Sequence, residues 1–138
     1  MFDKIVVAID ESDHAKSVIA AAADLAAKFG SEVRVLHVLE IGFVGKAGTV
    51  NLEDSEETHK LVNDAVAAFE AKDVRASGNV RAALHGRVAA QINDEAQHFG
   101  ANAIVTGTRG LGDFEGILLG STTHKLLHLT NLPVLVIP

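Results

Sequence analysis

A glycine-rich stretch in the C-terminal third of the chain has the residue types and the spacing of an anion-binding loop. It runs from Gly107 to Ser121, follows a β-branched run at 103–106, and contains four glycines in its first ten residues. Glycine lets backbone N–H groups approach a ligand closely, and a helix N-terminus presents unpaired donors at the positive end of a dipole. Two glycines would predict only a turn. Four glycines before a helix start predict a phosphate site.

Hydroxyl groups follow this loop at the start of the predicted helix. Ser121, Thr122 and Thr123 offer both side-chain hydroxyls and backbone donors that suit phosphate oxygens, although Ser121 alone could be an ordinary N-cap. Arg109 lies inside the loop. A phosphate clamp and a solvated surface side chain are equally good interpretations of this arginine.

A carboxylate follows the first apolar run of the chain, which spans 4–9. At the end of a buried strand, Asp10 can accept a hydrogen bond from a ribose hydroxyl or hold a cation such as Mg²⁺ that bridges phosphates. Its alternative role is to cap the next helix, which Ser12 or Asp13 can do better. We therefore predict a binding role for Asp10.

Other phosphate-binding motifs do not fit this sequence. No lysine occurs between Lys72 and Lys125, which excludes a P-loop at the glycine-rich stretch. The dinucleotide-binding fingerprint belongs after the first strand, where the chain has 10–12 Asp-Glu-Ser. A receiver domain would require an aspartate at the end of the third strand, where the chain has 84–86 Leu-His-Gly. A nucleotidyltransferase His-x-Gly-His motif fails because Ala101 replaces its second histidine.

Metal binding and hydrolytic chemistry have little support in the sequence. His124 and His128 are the only histidine pair at helical i, i+4 spacing, and no third ligand is evident near them. No Ser-His-Asp order is present. Apart from Asp10 and Glu11, no paired carboxylates point to hydrolytic catalysis. The residues therefore favour binding over catalysis.

Composition predicts one globular α/β domain over residues 1–138. Apolar residues make up 48% of the chain and aromatic residues only 4%, which indicates an aliphatic core. The net charge of −6, with scattered basic residues, argues against nucleic-acid binding. Cysteine is absent, so disulfides and thiol catalysis are excluded. The chain shows neither a signal peptide nor an apolar run of membrane-spanning length, and we expect a soluble, cytoplasmic protein.

Strand and helix patterns alternate from one end of the chain to the other. The second of these helices has two candidate caps, Asn51 and Ser55. The predicted strands lie at 4–9, 32–39, 79–85, 102–106 and 133–138, and the predicted helices at 15–29, about 55–73, 87–99 and 121–129.

Such alternation predicts a doubly wound, five-stranded parallel sheet with helices on both faces. The first strand should be central, because its apolar run is nearly continuous. Ligands then bind at the carboxyl ends of strands one and four, where Asp10 and the glycine loop should meet. The segment from Glu40 to Val50 is either a lid over this site or a surface loop.

These residues resemble the universal stress protein family. Its ATP-binding signature is Gly, two residues, Gly, nine residues, Gly and Ser/Thr, and the spacing is matched in full by Gly107, Gly110, Gly120 and Ser121. The resemblance extends over essentially the whole chain, from the opening Lys-Ile-Val-Val-Ala-Ile-Asp-Glu-Ser to the closing Pro-Val-Leu-Val-Ile.

The resemblance implies a site for ATP, with Mg²⁺ as a possible companion ion. The adenine and ribose would lie against Ala8, Ile9, Asp10 and Val38, with Thr106 standing where the family often has methionine. The phosphates would meet Gly107, Gly110, Gly120, Ser121, Thr122 and Thr123. The resemblance also implies a homodimer formed through the strand at Val134–Ile137.

The leading interpretation is therefore an ATP-binding, dimeric stress-response module that does not bind nucleic acid or membranes. Members that carry this motif are nucleotide-binding regulators more than efficient enzymes. A slow ATPase or phosphotransferase on the same fold is the alternative from the enzyme class. A nucleotide-independent interaction protein, in which the glycine loop is only a turn, is the third.

Overall fold

Strands and helices alternate strictly in the computed structural model, which describes residues 2–41, 52–108 and 119–138 and, for residues 52–55, the backbone only. The predicted lid beyond Ile41, together with Arg109 and Gly110, lies outside these ranges. The elements are β1 (Lys4–Ala8), α1 (His14–Phe29), β2 (Glu32–Ile41), α2 (Leu52–Glu70), β3 (Ala76–Leu84), α3 (Val88–Phe99), β4 (Ala103–Gly107), α4 (Ser121–Leu129) and β5 (Val134–Ile137).

The five strands form one parallel sheet in the order β3-β2-β1-β4-β5. The predicted central position of β1 is confirmed, because Ile5 pairs with Val33 of β2 on one side and with Ala103 of β4 on the other. The strand order reverses at this point, since β2 leads outward to β3 whereas β4 leads outward to β5. The sheet therefore opens a crevice at the carboxyl ends of β1 and β4.

Apolar side chains on the two faces of the sheet form two separate cores. Ile5 and Val7 of β1 pack with buried residues of α1 and α2, whereas Val6 packs with those of α3 and α4. Side chains alternate between the faces of a strand, so both faces of β1 are covered by helices. This double burial explains why the first strand is apolar at nearly every position.

Glycines end two of the helices, as predicted. Gly30 and Gly100 follow α1 and α3 with φ values of 66° and 76°, in the left-handed region where glycine carries no Cβ penalty. The start of α1 differs from the prediction. Asp13 occupies the N-cap position without a side-chain cap hydrogen bond. The hydroxyl of Ser12 does not cap the helix but donates a hydrogen bond to the carboxylate of Asp10.

Some predicted boundaries were wrong by a few residues. The strand β3 begins at Ala76 and not at Asn79, because it pairs with β2 from Val33 onward. The helix α2 begins at Leu52, so Ser55 lies inside it and cannot be its cap, and Asn51 falls outside the described residues.

In the parts of the chain that the structure describes, no helix has both the length and the apolar character needed to cross a membrane.

Candidate functional site

A cleft of about 830 Å³ lies at the carboxyl end of the sheet. Its walls come from the ends of β1, β2 and β4, from the start of α1, and from the first turns of α3 and α4. Ligand pockets in proteins span a few hundred to about a thousand cubic ångströms, so a nucleotide-sized molecule fits this volume. The cleft occupies the topological switch point of the sheet.

The end of β1 brings Asp10 to the wall of the cleft, next to Ala8 and Ile9. One carboxylate oxygen of Asp10 accepts a hydrogen bond from the Ser12 backbone N–H at 2.9 Å and another from the Ser12 hydroxyl. These bonds engage Oδ1 and hold the turn that leads into α1. Asp10 therefore shapes the turn and presents a carboxylate to the cleft at the same time.

The start of α4 forms another part of the cleft wall. Gly120 is its N-cap, and the Gly120 N–H donates to the Thr108 carbonyl oxygen at 2.7 Å, which brings the two ends of the glycine loop together. The amides of Ser121, Thr122 and Thr123 open the helix, and the first N–H groups of a helix have no partner within it. This wall presents backbone donors to the cleft.

The hydroxyl of Thr123 has a structural partner. Thr123 is buried, and its Oγ1 donates to the Gly107 carbonyl oxygen at 2.8 Å. This bond ties α4 to the end of β4 and commits the hydroxyl proton to a backbone group. Of the three hydroxyls predicted to serve a phosphate, that of Thr123 acts chiefly as a link between α4 and β4.

The packing around Gly107 differs from the sequence interpretation. We predicted that glycine is needed there so that a ligand can approach the backbone. A Cβ at this position would lie 2.7 Å from Cδ2 of His14 and 3.3 Å from Cγ2 of Val18. The space next to Gly107 is therefore filled by α1, and this packing is by itself sufficient reason for a glycine.

Two histidines of the cleft wall have defined hydrogen-bond partners. His37 is buried, and its Nδ1 lies 2.8 Å from the Ile9 carbonyl oxygen. His14 places Nε2 2.8 Å from the Ile137 carbonyl oxygen. A carbonyl oxygen can only accept, so each of these nitrogens carries the proton. The two bonds join the end of β2 to β1, and α1 to β5.

The rim at the β3–α3 turn contains groups that the sequence analysis missed. His85 Nδ1 lies 2.7 Å from a carboxylate oxygen of Glu40, which also accepts from the Gly86 N–H at 3.2 Å. Lys125 of α4 donates to the Gly86 carbonyl oxygen at 3.4 Å. Gly86 has a positive φ of 82°, and a glycine at this point signals a turn in the sequence, but only the fold brings Lys125 to it.

A charged cluster under α3 was also missed. Glu95 has no exposed surface and forms ion pairs with Arg34 of β2 and Arg81 of β3, with Asn79 donating to the same carboxylate. Burial alone would raise the pKa of Glu95, but the hydrogen bonds and the charge of Arg81 outweigh it and hold that pKa below its ordinary value. The cluster fixes α3 on the sheet, and α3 lines the cleft.

The predicted site residues that the structure describes all line this one cleft. Arg109 and Gly110 are the two members of the set that fall outside the described residues. The remaining members that line the cleft are Ala8, Ile9, Asp10, Val38, Thr106, Gly107, Gly120, Ser121, Thr122 and Thr123.

The described residues of this cleft do not form a metal-binding cluster by themselves. Over residues 2–41, 52–108 and 119–138, no group of three or more His, Cys, Asp or Glu side chains is arranged to hold a metal. Asp10 supplies one carboxylate at the cleft wall. Because Mg²⁺ often binds through one carboxylate, water and the phosphates of its ligand, the site suits an ion that arrives with a nucleotide.

The open parallel sheet with its strand-end cleft defines a Rossmann-like α/β protein. The model of the universal stress protein family matches residues 1–138, and the chain belongs to that family. It is 31% identical over 147 residues to universal stress protein YxiE of Bacillus subtilis, with 99% of each chain covered.

Solved structures agree with this assignment. A universal stress protein family member from Burkholderia pseudomallei superimposes with a TM-score of 0.80 at 27% identity, over 99% of this chain and 96% of that one. The universal stress protein from Archaeoglobus fulgidus in complex with dAMP gives a TM-score of 0.78 at 28% identity, over 99% and 98% of the two chains.

Proposed function

We propose that this chain binds ATP in the strand-end cleft and acts as a nucleotide-dependent regulator in the cytoplasmic stress response. The observation that carries the proposal is that Asp10 and the first turn of α4 both line one cleft. A carboxylate suits a ribose hydroxyl, and the amides of a helix start suit phosphate oxygens. A ligand with both groups, spaced as in a nucleotide, satisfies both parts of the cleft wall.

The proposed roles follow the position of each residue. The adenine lies against Ala8, Ile9, Val38 and Thr106, and Asp10 accepts from the ribose. The phosphates meet Gly107 and the start of α4, with Arg109 and Gly110 assigned to them from the sequence. The residues at the start of α4 are Gly120, Ser121, Thr122 and Thr123.

A solved relative supports the choice of an adenine nucleotide. The Archaeoglobus fulgidus protein was determined in complex with dAMP and matches this chain over nearly its full length. We propose ATP as the ligand because the glycine spacing matches the family's ATP signature in full. Mg²⁺ accompanies ATP in this proposal, held by Asp10 and the phosphates.

We also propose a homodimer formed through β5. This strand lies at the edge of the sheet, paired with β4 on one side, and Leu135 is 43% exposed. An edge strand offers unpaired backbone groups to a second copy of the same strand. Because β5 is hydrogen-bonded to the cleft wall through Ile137, nucleotide binding and dimerisation can influence each other.

Ser121→Glu tests the phosphate site without threatening the fold. A carboxylate in the first turn of a helix interacts favourably with the helix dipole, so α4 should remain stable. The same charge repels a nucleotide phosphate at close range. We expect ATP affinity, measured by calorimetry with Mg²⁺ present, to fall at least about tenfold, which corresponds to roughly 1.4 kcal/mol.

Adenosine is the matched control ligand for this experiment. It shares the base and the ribose but has no phosphate, so Ser121→Glu should leave its affinity unchanged. An equal loss of affinity for ATP and for adenosine would indicate a damaged cleft and not a lost phosphate contact. If wild-type protein binds neither compound, the nucleotide-independent interaction protein becomes the better interpretation.

A further inference from the structure

His14 is held at the boundary between the cleft and the C-terminal strand. Its Nε2 donates to the Ile137 carbonyl oxygen at 2.8 Å, and the Thr108 N–H donates to the same oxygen at 2.9 Å. Its ring fills the space beside Gly107, since a Cβ added to that glycine would lie 3.1 Å from Nε2. The ring is therefore fixed beside the residue that begins the glycine loop.

This hydrogen bond determines how the ring can gain a charge. With Nε2 bound as a donor, Nδ1 is the basic nitrogen of the neutral ring. Protonation at Nδ1 leaves the bond to Ile137 intact. His14 can thus become a cation without moving, and histidine is the side chain whose charge changes most readily near neutral pH.

Carboxylates outnumber lysine and arginine side chains among the described residues that line the cleft. Among the described residues that line it, Lys125 is the one lysine or arginine, and its Nζ lies by the Gly86 carbonyl oxygen. Asp10, Glu11 and Glu40 supply three carboxylates. A phosphate beside Gly107 therefore favours any group near it that can take up a positive charge.

Other titratable groups face the same cleft as His14. Those on the loop before α1 and on β2 are Asp10, Glu11, His37 and Glu40, and those on the β3–α3 turn and α4 are His85 and Lys125. From β4 and β5, the contacts of His14 are with Gly107 and the Ile137 carbonyl oxygen, which do not titrate. His85 is paired with Glu40 at the rim formed by the β3–α3 turn.

We propose that His14 is the charge partner of the nucleotide phosphate and takes up a proton when a phosphate binds beside Gly107. The proton comes from solvent and is added to Nδ1, and no covalent bond of the ligand changes. The inference rests on the proposed function and deepens it, because it makes phosphate recognition dependent on pH. The ligand class it predicts is the phosphorylated nucleotide and not the nucleoside.

Calorimetry in buffers of different ionisation enthalpy tests this proposal. The dependence of the binding enthalpy on the buffer gives the number of protons taken up for each nucleotide bound. At pH 7.5 we expect net uptake when wild-type protein binds ATP and none when it binds adenosine. His14→Gln keeps an amide donor for Ile137 but cannot titrate, and we expect the uptake with ATP to fall clearly below that of wild type.

His98→Gln is the matched control, since His98 is exposed in the last turn of α3. It should reproduce the wild-type proton uptake. Protonation of ATP itself is common to all variants, so only the difference between variants is used. Equal uptake in His14→Gln and wild type, with ATP still bound, would overturn the role of His14 and leave the proposed function standing.

A second measurement covers the case in which His14→Gln does not fold. Carbon-detected NMR of the histidine rings in wild-type protein follows the titration of His14 with and without ATP. We expect ATP to raise its titration midpoint, because the phosphate brings an opposite charge to the ring. An unmoved midpoint in the ATP-saturated protein would overturn the inference. Failure of ATP to bind would overturn the proposed function together with it.

Discussion

At the scale of single residues, the site depends on what fills the space around the backbone. Gly107 stands out in the sequence for its missing side chain, and the structure shows that His14 and Val18 occupy that space. Its φ is not in the left-handed region, so this position requires glycine because of packing and not because of its backbone conformation. The sequence identified the important glycine but could not show which helix packs against it.

Gly107→Ala should therefore destabilise the protein by overpacking. The new Cβ would lie 2.7 Å from the His14 ring, and a misfit of this kind costs about 1–3 kcal/mol. Urea denaturation would measure the change in the free energy of unfolding. His14→Ala removes the ring, so Gly107→Ala should cost less in that background. An equal cost in both backgrounds would mean that His14 is not the obstacle.

Asp10 shows the same limit of sequence reasoning. Its position at the end of the first strand was predictable, because a carboxylate directly follows a buried apolar run. The hydrogen bonds that Ser12 donates to Asp10 could not be predicted, since the predicted role of Ser12 was to cap α1. Local hydrogen bonds among neighbouring polar residues have several alternatives of similar energy, and the tertiary structure selects one.

At the scale of elements, α3 is positioned by a buried ion cluster as well as by apolar contacts. The helical pattern predicted its apolar side from Val88, Ile92, Ala96 and Phe99, and these positions do face the core. It did not predict Glu95, which is fully buried between Arg34 and Arg81. A glutamate in a helix usually faces solvent, so only the position of the two arginines reveals its role.

Glu95→Gln should destabilise the protein by about 2–4 kcal/mol at pH 7, because it leaves two partly buried arginines without their carboxylate. Urea denaturation gives the difference. The neighbouring Asp94→Asn is the matched control: Asp94 is exposed, and its replacement should change stability by no more than about 0.5 kcal/mol. A Glu95→Gln protein as stable as wild type would show that the cluster contributes nothing.

The same pair of proteins gives a pH dependence with a defined sign. The pKa of Glu95 in the folded protein is below its ordinary value of 4.5, so the charged carboxylate stabilises the fold. This contribution is complete above 4.5 and is lost as the pH falls through the folded-state pKa. The stability advantage of wild type over Glu95→Gln should therefore shrink in acid. An advantage that stayed constant would contradict the depressed pKa.

The strand β3 illustrates why element boundaries were harder to predict than elements. Its first residues, Ala76, Ser77 and Gly78, have little strand propensity, yet they pair with β2. A Cβ on Gly78 would overlap Val62 of α2, so the glycine lets that helix approach the sheet. Pairing and packing override local propensity here, and neither is visible in the local sequence.

At the scale of the whole molecule, the parallel sheet and its central first strand were predictable because they follow from general rules. Strict alternation of strands and helices requires parallel pairing with crossover helices, and the most apolar strand takes the centre. The observed order puts β3 and β5 at the two edges. The assembly of such a sheet into a dimer depends on which edge is used, and each edge exposes one large leucine, Leu84 and Leu135.

Leu135→Lys should convert the proposed dimer into a monomer, because it places a charge on the edge strand β5 that a second copy would cover. Sedimentation analysis would measure the mass in solution. Leu84→Lys makes the same change on the opposite edge strand, β3, where 56% of the leucine is exposed, and should leave the dimer intact. If Leu84→Lys dissociated the dimer and Leu135→Lys did not, the interface would lie at β3, which would contradict a dimer formed through β5.

The location of the bound nucleotide is the most direct test of the proposed function. Backbone amide NMR during a titration with Mg²⁺ and ATP reports which residues change their environment. We predict that the largest shifts occur at Asp10, Val38, Gly107 and residues 120–123, with the far ends of α1 and α3 unaffected. Saturable shifts centred outside the cleft, or no shifts at saturating ATP, would contradict nucleotide binding at this site.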